Sequence, residues 1–225
     1  MRKILLAILS LSLLLSGCRK DDFVSYSGME MGQVRSGSIL TDEGVKLIIG
    51  GNSENYDIQT DRRVLFRYQT TEIGSDGSYT IDLQELWETT VSEPIPASDP
   101  VGLVSDDPVR IFDAWFSGGY LNLTVAYAGI DPALHAFPLT FENDGKRAVL
   151  RLYHDVQETV PAGTELKKAC LCFPMEAVTA TFPAPADKSK TVVIPILLQW
   201  RWYEDDDTSR QTVLHEKQGG YRTKH

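Results

Sequence analysis

The thiol of Cys18 is the side chain whose surroundings define a chemistry most clearly. It ends the tetrapeptide Leu15-Ser16-Gly17-Cys18, a lipobox pattern in which an apolar residue and two small residues precede the cysteine. Small residues let a peptidase hold the chain extended, and the thiol can then carry a thioether-linked diacylglycerol with palmitate-type acyl chains. Residues 1–17 have the basic start and short apolar run of a secretion signal, a run too short to span a bilayer as a helix. The sequence therefore predicts cleavage before Cys18 and attachment of the chain to membrane lipid at that residue.

Three charged residues after the cysteine bear on where the anchored chain resides. Lys20, Asp21 and Asp22 resemble the Lys-acidic-acidic export signal that directs some Gram-negative lipoproteins to the outer face of the outer membrane. The alternative is a solvated tether facing the periplasm, in which these charges act only as spacing. In either case we expect a lipidated tether over residues 18–30 and an outer-membrane location.

The charge of the chain argues against one class of ligand. The signal holds two of the 22 basic residues and no acidic one, so 20 basic and 31 acidic residues remain, a net charge of −11. The excess is strongest in residues 29–100, which contain five basic and thirteen acidic residues. Binding to a phosphate backbone depends on clustered Lys and Arg, so we expect no nucleic-acid partner. A cationic protein would instead be attracted.

The acidic residues form no convincing catalytic or metal-binding motif. Nucleophile-elbow, zinc-protease and phosphate-loop motifs are absent from the sequence. Asp106 and Asp107 form a carboxylate pair of the kind used in glycoside hydrolysis, but acid-rich β proteins offer many such pairs. Residues 204–207 lack the alternating ligands and glycine of a calcium loop, which favours a solvated hairpin tip.

The cysteines and histidines give no metal pattern either. Cys170 and Cys172 lie two residues apart, which favours buried apolar thiols over a strained disulfide or a four-ligand zinc site. The four histidines are scattered along the sequence: His135, His154, His215 and His225. We therefore expect no metal, no cofactor and no enzymatic activity.

Apolar and polar residues alternate with a period of two through most of the chain, which predicts an all-β fold. The clearest turn is Asn143-Asp144-Gly145. Strands are predicted at 38–40, 45–49, 63–71, 79–90, 109–116, 120–128, 137–142, 147–154, 169–173 and 191–203. The proline-rich segment 91–108 interrupts the pattern, so we expect a linker there between two β domains.

The predicted strand at 191–203 has the longest apolar series. Its alternation favours Trp200 and Trp202 as core residues. Pro195 has no amide proton for a sheet ladder, which predicts an edge strand or a bulge. The alternation at 79–90 places four side chains on one face: Tyr79, Ile81, Leu83 and Trp87.

Two further stretches carry a family resemblance. Residues 61–68 are similar to a Gly-x-Arg-Val strand, with Asp61 in place of the glycine and Arg62 in place of glutamine. The second stretch runs from Trp115 through a glycine turn to Tyr120-Leu121-Asn122. With the lipobox, they resemble the NigD-like family of candidate bacteriocin-immunity lipoproteins. The resemblance implies an OB-like barrel, placed here at 31–100, and a C-terminal β-sandwich, placed at 101–215, which leaves 216–225 as a flexible tail.

The same resemblance implies a function in immunity, by interception of a secreted antibacterial toxin. With the lipid anchor, it leads us to expect a non-catalytic binding lipoprotein whose partner is a protein toxin or an envelope protein. Trp115 and Tyr120 flank the glycine turn and are candidate ligand contacts if exposed, or core residues if buried. The alternative function is binding of a surface glycan in support of nutrient uptake, with a hydrolase of unrecognised site as a third class.

Overall fold

The computed structural model of the chain describes residues 27–99, 105–184, 190–204 and 211–224. The predicted signal, the lipobox and the charged export signal lie outside the described residues. Within them, nearly all regular structure is β, as the alternation predicted. No helix among them is long and apolar enough to cross a membrane.

Five strands close into a barrel in the order β1-β2-β3-β5-β4, which is an OB-like topology. Neighbouring strands are antiparallel except for β3 and β5, which are parallel. The barrel strands are β1 (Ser27–Arg35), β2 (Ser38–Thr41), β3 (Lys46–Ile49), β4 (Arg63–Ile73) and β5 (Tyr79–Glu88).

The barrel is filled by the inward residues of these strands. Phe66 and Ile81 are fully buried at its centre, and Tyr68 closes one side with its hydroxyl bonded to Glu30 at 2.9 Å. The prediction that Trp87 shares the face of Leu83 is wrong. A register shift opposite Arg67 and Tyr68 bulges β5, so Trp87 turns outward and is 38% exposed.

Two sheets form the second domain as a β-sandwich. The sheet that faces the barrel has the order β6-β14-β9-β8, and the far sheet has the order β16-β15-β12-β11-β7. Two short strands, β10 and β13, pair separately. The strands are β6 (Thr90–Val91), β7 (Ile95–Pro96), β8 (Arg110–Ser117), β9 (Tyr120–Ala128), β10 (His135–Ala136), β11 (Leu139–Asn143), β12 (Ala148–Leu152), β13 (Asp155–Val156), β14 (Leu166–Pro174), β15 (Thr191–Tyr203) and β16 (Thr212–Lys224).

The sandwich core lies between the inner faces of the two sheets. It includes Leu123 and Phe173 from the near sheet and Leu150, Ile196 and Leu198 from the far sheet. A one-turn helix, α1 (Glu176–Thr179), closes one end and buries Val178. Trp202 is 5% exposed and Trp200 is half-buried against the core, in agreement with their predicted core placement.

The predicted domain boundaries need correction, because segments expected to be linkers pair in sheets. β1 begins at Ser27, inside the predicted tether 18–30. Thr90–Val91 pairs with β14 and Ile95–Pro96 pairs with β11, so the sandwich begins at Thr90 rather than at 101. The described part of the proline-rich segment 91–108 is thus bound to both sheets, which makes it a poor candidate for a free linker.

The prediction of a flexible tail at 216–225 is wrong. Residues 212–224 form β16 and pair with β15 along its whole length. The Tyr221 ring packs on Phe116 with centroids 5.0 Å apart, which ties this strand to the core.

The prediction for Pro195 also changes. β15 is not an edge strand, since it lies between β16 and β12. Its pairing with β12 starts only at Ile196, so the missing amide proton of Pro195 interrupts no ladder on that side.

Candidate functional site at the domain junction

A buried ion pair lies on the side of the barrel that contacts the sandwich, between the first residue of β4 and the turn after β2. The Arg63 guanidinium of β4 donates to both carboxylate oxygens of Asp42, at 2.7 and 2.6 Å. The two side chains are only 9% and 10% exposed. This fork-to-fork geometry is the strongest form of an arginine–carboxylate bond, and burial shields it from salt.

The hairpin of β8 and β9 completes this pair from the sandwich side. The Ser117 hydroxyl donates to the Asp42 carboxylate at 2.5 Å, and Arg63 donates to the Asn122 side-chain oxygen at 3.1 Å. The Asn122 amide donates in turn to Ser117 at 3.0 Å. Asn122 is fully buried, yet its polar atoms are satisfied across the junction. We call Asp42, Arg63, Ser117 and Asn122 the junction network.

Two local features allow the network to close. Gly118 has φ +57, and a Cβ atom at that position would collide with the Asp42 carboxylate, so the turn requires glycine. The Tyr120 ring lies under the Arg63 guanidinium at 4.1 Å, a cation–π contact. Burial opposes the charge of Arg63, but the bonds to Asp42 outweigh it and raise the pKa of Arg63 above its ordinary value.

An apolar cluster lies beside the network and completes the junction. It brings together Met31 and Leu65 from the barrel with Cys170 and Cys172 from β14, and Trp115 and Tyr120 pack against it. Both cysteines are buried free thiols, as predicted. The hydrogen bond with the Cys170 thiol makes the largest contribution to lowering the pKa of Cys172, and Thr89 and Arg63 lower it further. The same hydrogen bond, together with burial, raises the pKa of Cys170.

These contacts show where the two predicted ligand-contact residues lie. Trp115 is half-buried and contributes to the junction rather than presenting a free ring. Tyr120 is also half-buried, with one ring face covered by Arg63. Tyr120 nevertheless lines a cleft of about 620 Å³ between the domains, together with Leu40, Asp61, Arg62 and Val91. The cleft is lined by charges of both signs, and Asp61 and Arg62 in its lining are exposed to solvent.

A second cavity, of about 610 Å³, lies between strand β14 and the residues that link the two domains. Tyr127, His135 and Phe137 form its aromatic wall, and Glu93 and Lys168 add charges of both signs. His135 and His154, which looked unrelated in the sequence, meet at this wall with ring centroids 5.1 Å apart.

The remaining candidates from the sequence are placed as follows. Cys18, Lys20, Asp21 and Asp22 lie outside the described residues, so their roles stay predictions. Asp106 binds both Arg151 and Arg201, which occupies its carboxylate. Over the ranges that the structure describes, no group of three or more His, Cys, Asp or Glu side chains is arranged to hold a metal ion.

The junction network was not predicted, although both stretches that carry the resemblance take part in it. Arg63 belongs to the first stretch, while Tyr120 and Asn122 belong to the second. The available signal was Asn122, a polar residue between Leu121 and Leu123 on a mostly apolar strand. Asp42, in a turn between two short strands, has no signature of its own.

A two-domain β protein, with an OB-like barrel whose buried ion pair is hydrogen-bonded to Ser117 and Asn122 of a β-sandwich, is the class that this geometry defines. The family model of the NigD-like C-terminal β-sandwich domain matches residues 94–211. The chain therefore belongs to the NigD-like family, as the sequence motifs suggested.

Solved structures share the whole fold at low sequence identity. A NigD-like immunity protein from Bacteroides caccae is 23% identical with a TM-score of 0.60, covering 84% of this chain and 91% of that one. A protein of unknown function from Bacteroides vulgatus is 18% identical with a TM-score of 0.60, covering 85% and 91%. A candidate lipoprotein from Bacteroides fragilis is 17% identical with a TM-score of 0.57, covering 85% and 96%. No curated protein matches the sequence.

Proposed function

We propose that the chain is an envelope-anchored lipoprotein that binds a cationic antibacterial protein and does not catalyse a reaction. The observation that carries this proposal is the charge of the barrel. Residues 29–100 contain thirteen acidic residues against five basic ones. Four of the exposed acidic side chains are distributed over its loops and strands: Glu43, Glu54, Glu72 and Glu88.

Part of the barrel's small basic content is already neutralised within the fold. Arg63 is bound to Asp42, Arg35 to Asp61, and Arg67 to Glu85 at 3.0 Å. A negative field of this kind raises the association rate of a positively charged protein and is weakened by salt. The barrel is therefore the part of the chain best suited to first contact with such a partner.

The predicted anchor gives this binding a place to act. Several acyl chains on Cys18 would hold the domains at a membrane surface, where a secreted toxin must pass before it reaches its target. The proposal is also supported by two similar structures: the Bacteroides caccae protein is described as an immunity protein, and the Bacteroides fragilis protein as a lipoprotein.

The alternative function, glycan binding, requires exposed aromatic rings. The two aromatic residues proposed for it, Trp115 and Tyr120, are partly covered at the junction. Trp115 packs on the sulfur-containing cluster, and the Arg63 guanidinium covers one face of Tyr120. A sugar ring would have to bind at the remaining edge of Tyr120 in the cleft. Binding of a toxin to the barrel surface does not depend on these aromatic rings.

The test compares three strains: one lacking the chain, one complemented with the wild type, and one complemented with Cys18→Ala. Each is challenged with the secreted proteins of competing bacteria and is grown on a panel of glycans. We expect the deletion strain to be sensitive and only the lipidated form to restore survival. If equal amounts of the Cys18→Ala protein restored survival, the lipid anchor would not be needed for protection. Normal survival together with a growth defect on one glycan would replace interception by the glycan-binding alternative.

A further inference from the structure

A chain of hydrogen bonds runs through the wall of the second cavity. His154 Nδ1 lies 3.1 Å from the carbonyl oxygen of Pro108, and its Nε2 lies 2.9 Å from His135 Nδ1. His135 Nε2 lies 2.8 Å from the Glu158 carboxylate. That carboxylate also accepts the backbone N–H groups of Ile130 and Asp131, at 2.6 and 3.2 Å.

The partners at the two ends fix the direction of every bond. A carbonyl oxygen only accepts, so Nδ1 of His154 carries the proton and Nε2 of a neutral His154 accepts from His135. Nδ1 of His135 is therefore a donor, and its Nε2 faces a carboxylate oxygen that already accepts two backbone N–H groups. A proton must lie between His135 and Glu158, because without it two lone pairs would meet at 2.8 Å.

Little solvent reaches this proton. The side chains of His135 and Glu158 are 0% and 11% exposed, and His154 is 1% exposed. Burial lowers the pKa of His154 to about 4, which keeps that ring neutral near neutral pH. The Ile130 N–H, followed by His135, lowers the pKa of Glu158, which favours its carboxylate form.

The other ionisable groups around the pair come from each element packed against it. The Tyr127 ring of β9 lies 4.7 Å from His135, and the Lys167 ammonium of β14 donates to the Ile130 carbonyl. Asp155 of β13 is bonded to Ser105 at 2.9 Å. Asp107 acts on His154 only at longer range. Lys167 and Asp155 have partners of their own, and Asp107 lies beyond the direct reach of His135. Burial, followed by the charge of Glu158, raises the pKa of Tyr127, so its hydroxyl keeps its proton and the pair itself controls the shared one.

We propose that the proton shared by His135 and Glu158 is a latch that holds residues 130–136 over the second cavity. Pro132, His135 and Ala136 of this segment line the cavity, and Glu158 binds the segment at both its backbone and its histidine. Loss of the proton turns an ion pair into a repulsive contact and releases the segment. The cavity is then opened by alkaline pH.

The direction in which pH acts on the latch follows from the number of bound protons. The latched form contains one proton more than the released form, so a rise in pH favours release. On the acid side, His154 has a depressed pKa and prefers to be neutral when folded, so its contribution is lost as pH falls from the ordinary histidine range towards about 4. The lowered pKa of Glu158 acts in the same direction. Protection of the segment is therefore greatest in the middle of the pH range.

The test uses the purified chain after its signal, with Cys18→Ala so that no lipid is attached. Nitrogen-15 spectra of the histidine rings should show both His135 nitrogens protonated at neutral pH, and His154 protonated only at Nδ1. Hydrogen-exchange protection of the Ile130 and Asp131 amides should fall at least about tenfold, relative to intrinsic exchange, as the pH is made alkaline.

Glu158→Gln should move the loss of protection to lower pH, because its amide oxygen can accept the same bonds from Ile130, Asp131 and His135 but lacks the negative charge that retains the shared proton. His215→Gln is the matched control, since His215 stacks on Trp200 away from the cavity and should leave the profile unchanged. A His135 ring with one protonated nitrogen at neutral pH, or constant protection in the wild type from neutral to alkaline pH, would overturn the latch. The wild-type spectra decide the matter even if the Glu158 variant does not fold.

Discussion

Asp61 shows how one backbone position shapes the strand that carries the junction. Within the described residues it is the one non-glycine residue with positive φ, at 66°. It stands where the resembling motif has glycine, which adopts this conformation without strain. Aspartate tolerates it better than most residues because its short polar side chain bonds locally. Here that side chain pairs with Arg35, directly before the strand that presents Arg63.

Substitution at Asp61 separates the backbone effect from the ion pair. Asp61→Gly and Asp61→Ala both remove the exposed pair with Arg35, but only alanine places a Cβ atom in the left-handed region. We expect the alanine variant to be less stable than the glycine variant by about 1 kcal/mol. Denaturant unfolding of the two proteins gives this difference directly. Equal stabilities would mean that the backbone at Asp61 is not held at positive φ.

At the scale of the elements, the two stretches of family resemblance are the two sides of one interface. β4 supplies Arg63, and the β8–β9 hairpin supplies Ser117, Tyr120 and Asn122. Both stretches alternate as strands do, and two of their hydrogen bonds, from Arg63 to Asn122 and from Ser117 to Asp42, form only when both domains are present. The network thus adds directed hydrogen bonds to the apolar contacts between the barrel and the sandwich.

The strength of the buried ion pair within the junction network is measured by a double-mutant cycle. Removing one partner of a buried, hydrogen-bonded ion pair leaves the other charge uncompensated and costs about 3–5 kcal/mol. We expect Arg63→Met and Asp42→Asn each to destabilise in this range, with a coupling energy of at least about 1.5 kcal/mol from denaturant unfolding.

The exposed pair Arg35 and Asp61 is the matched control for that cycle. Its side chains are 47% and 68% exposed, so its coupling should stay within about 1 kcal/mol. Similar coupling energies for the two pairs would show that burial at the junction does not strengthen the pair of Arg63 and Asp42.

The sequence predicted the long strands well because their side chains alternate between core and solvent, as in β9 and β15. It missed β6 and β7 because two-residue strands have no period to detect and their partners are distant in the chain. β16 was missed since Gly219 and Gly220 interrupt its alternation and Lys217 occupies its inner face opposite Leu198. An inward charge of this kind is common on edge strands, where it discourages further pairing.

The candidate sites were less predictable than the strands. Asp42 meets Arg63 only because β2 and β4 both pair with β1, and Asn122 meets Arg63 only where the two domains pack. His135 meets His154 only because β10 pairs with β13, the strand that directly follows His154. No spacing of residues in the sequence predicts any of these contacts. Trp115 could be weighed from sequence as core or contact, but its burial depends on the barrel that covers the near sheet.

At the scale of the whole molecule, the barrel and the sandwich differ in charge although they form one bonded unit. The barrel region carries most of the acidic excess, while the sandwich has a more even balance. The network fixes this asymmetry in space, so the molecule presents an acidic end rather than a uniform surface. A lipid anchor before β1 would attach to the chain on the barrel side.

Neutralising matched sets of glutamates tests the proposed function most directly. One variant changes four exposed barrel residues to glutamine, and the control changes four exposed sandwich residues by the same charge. The barrel set is Glu43, Glu54, Glu72 and Glu88, and the sandwich set is Glu142, Glu165, Glu176 and Glu204. Survival of cells expressing each variant, challenged with the secreted proteins of competing bacteria, is the measurement. We expect the barrel variant to lose protection at least about tenfold while the sandwich variant resembles the wild type. Equal protection by both variants at equal protein levels would contradict capture of a cationic partner by the acidic barrel.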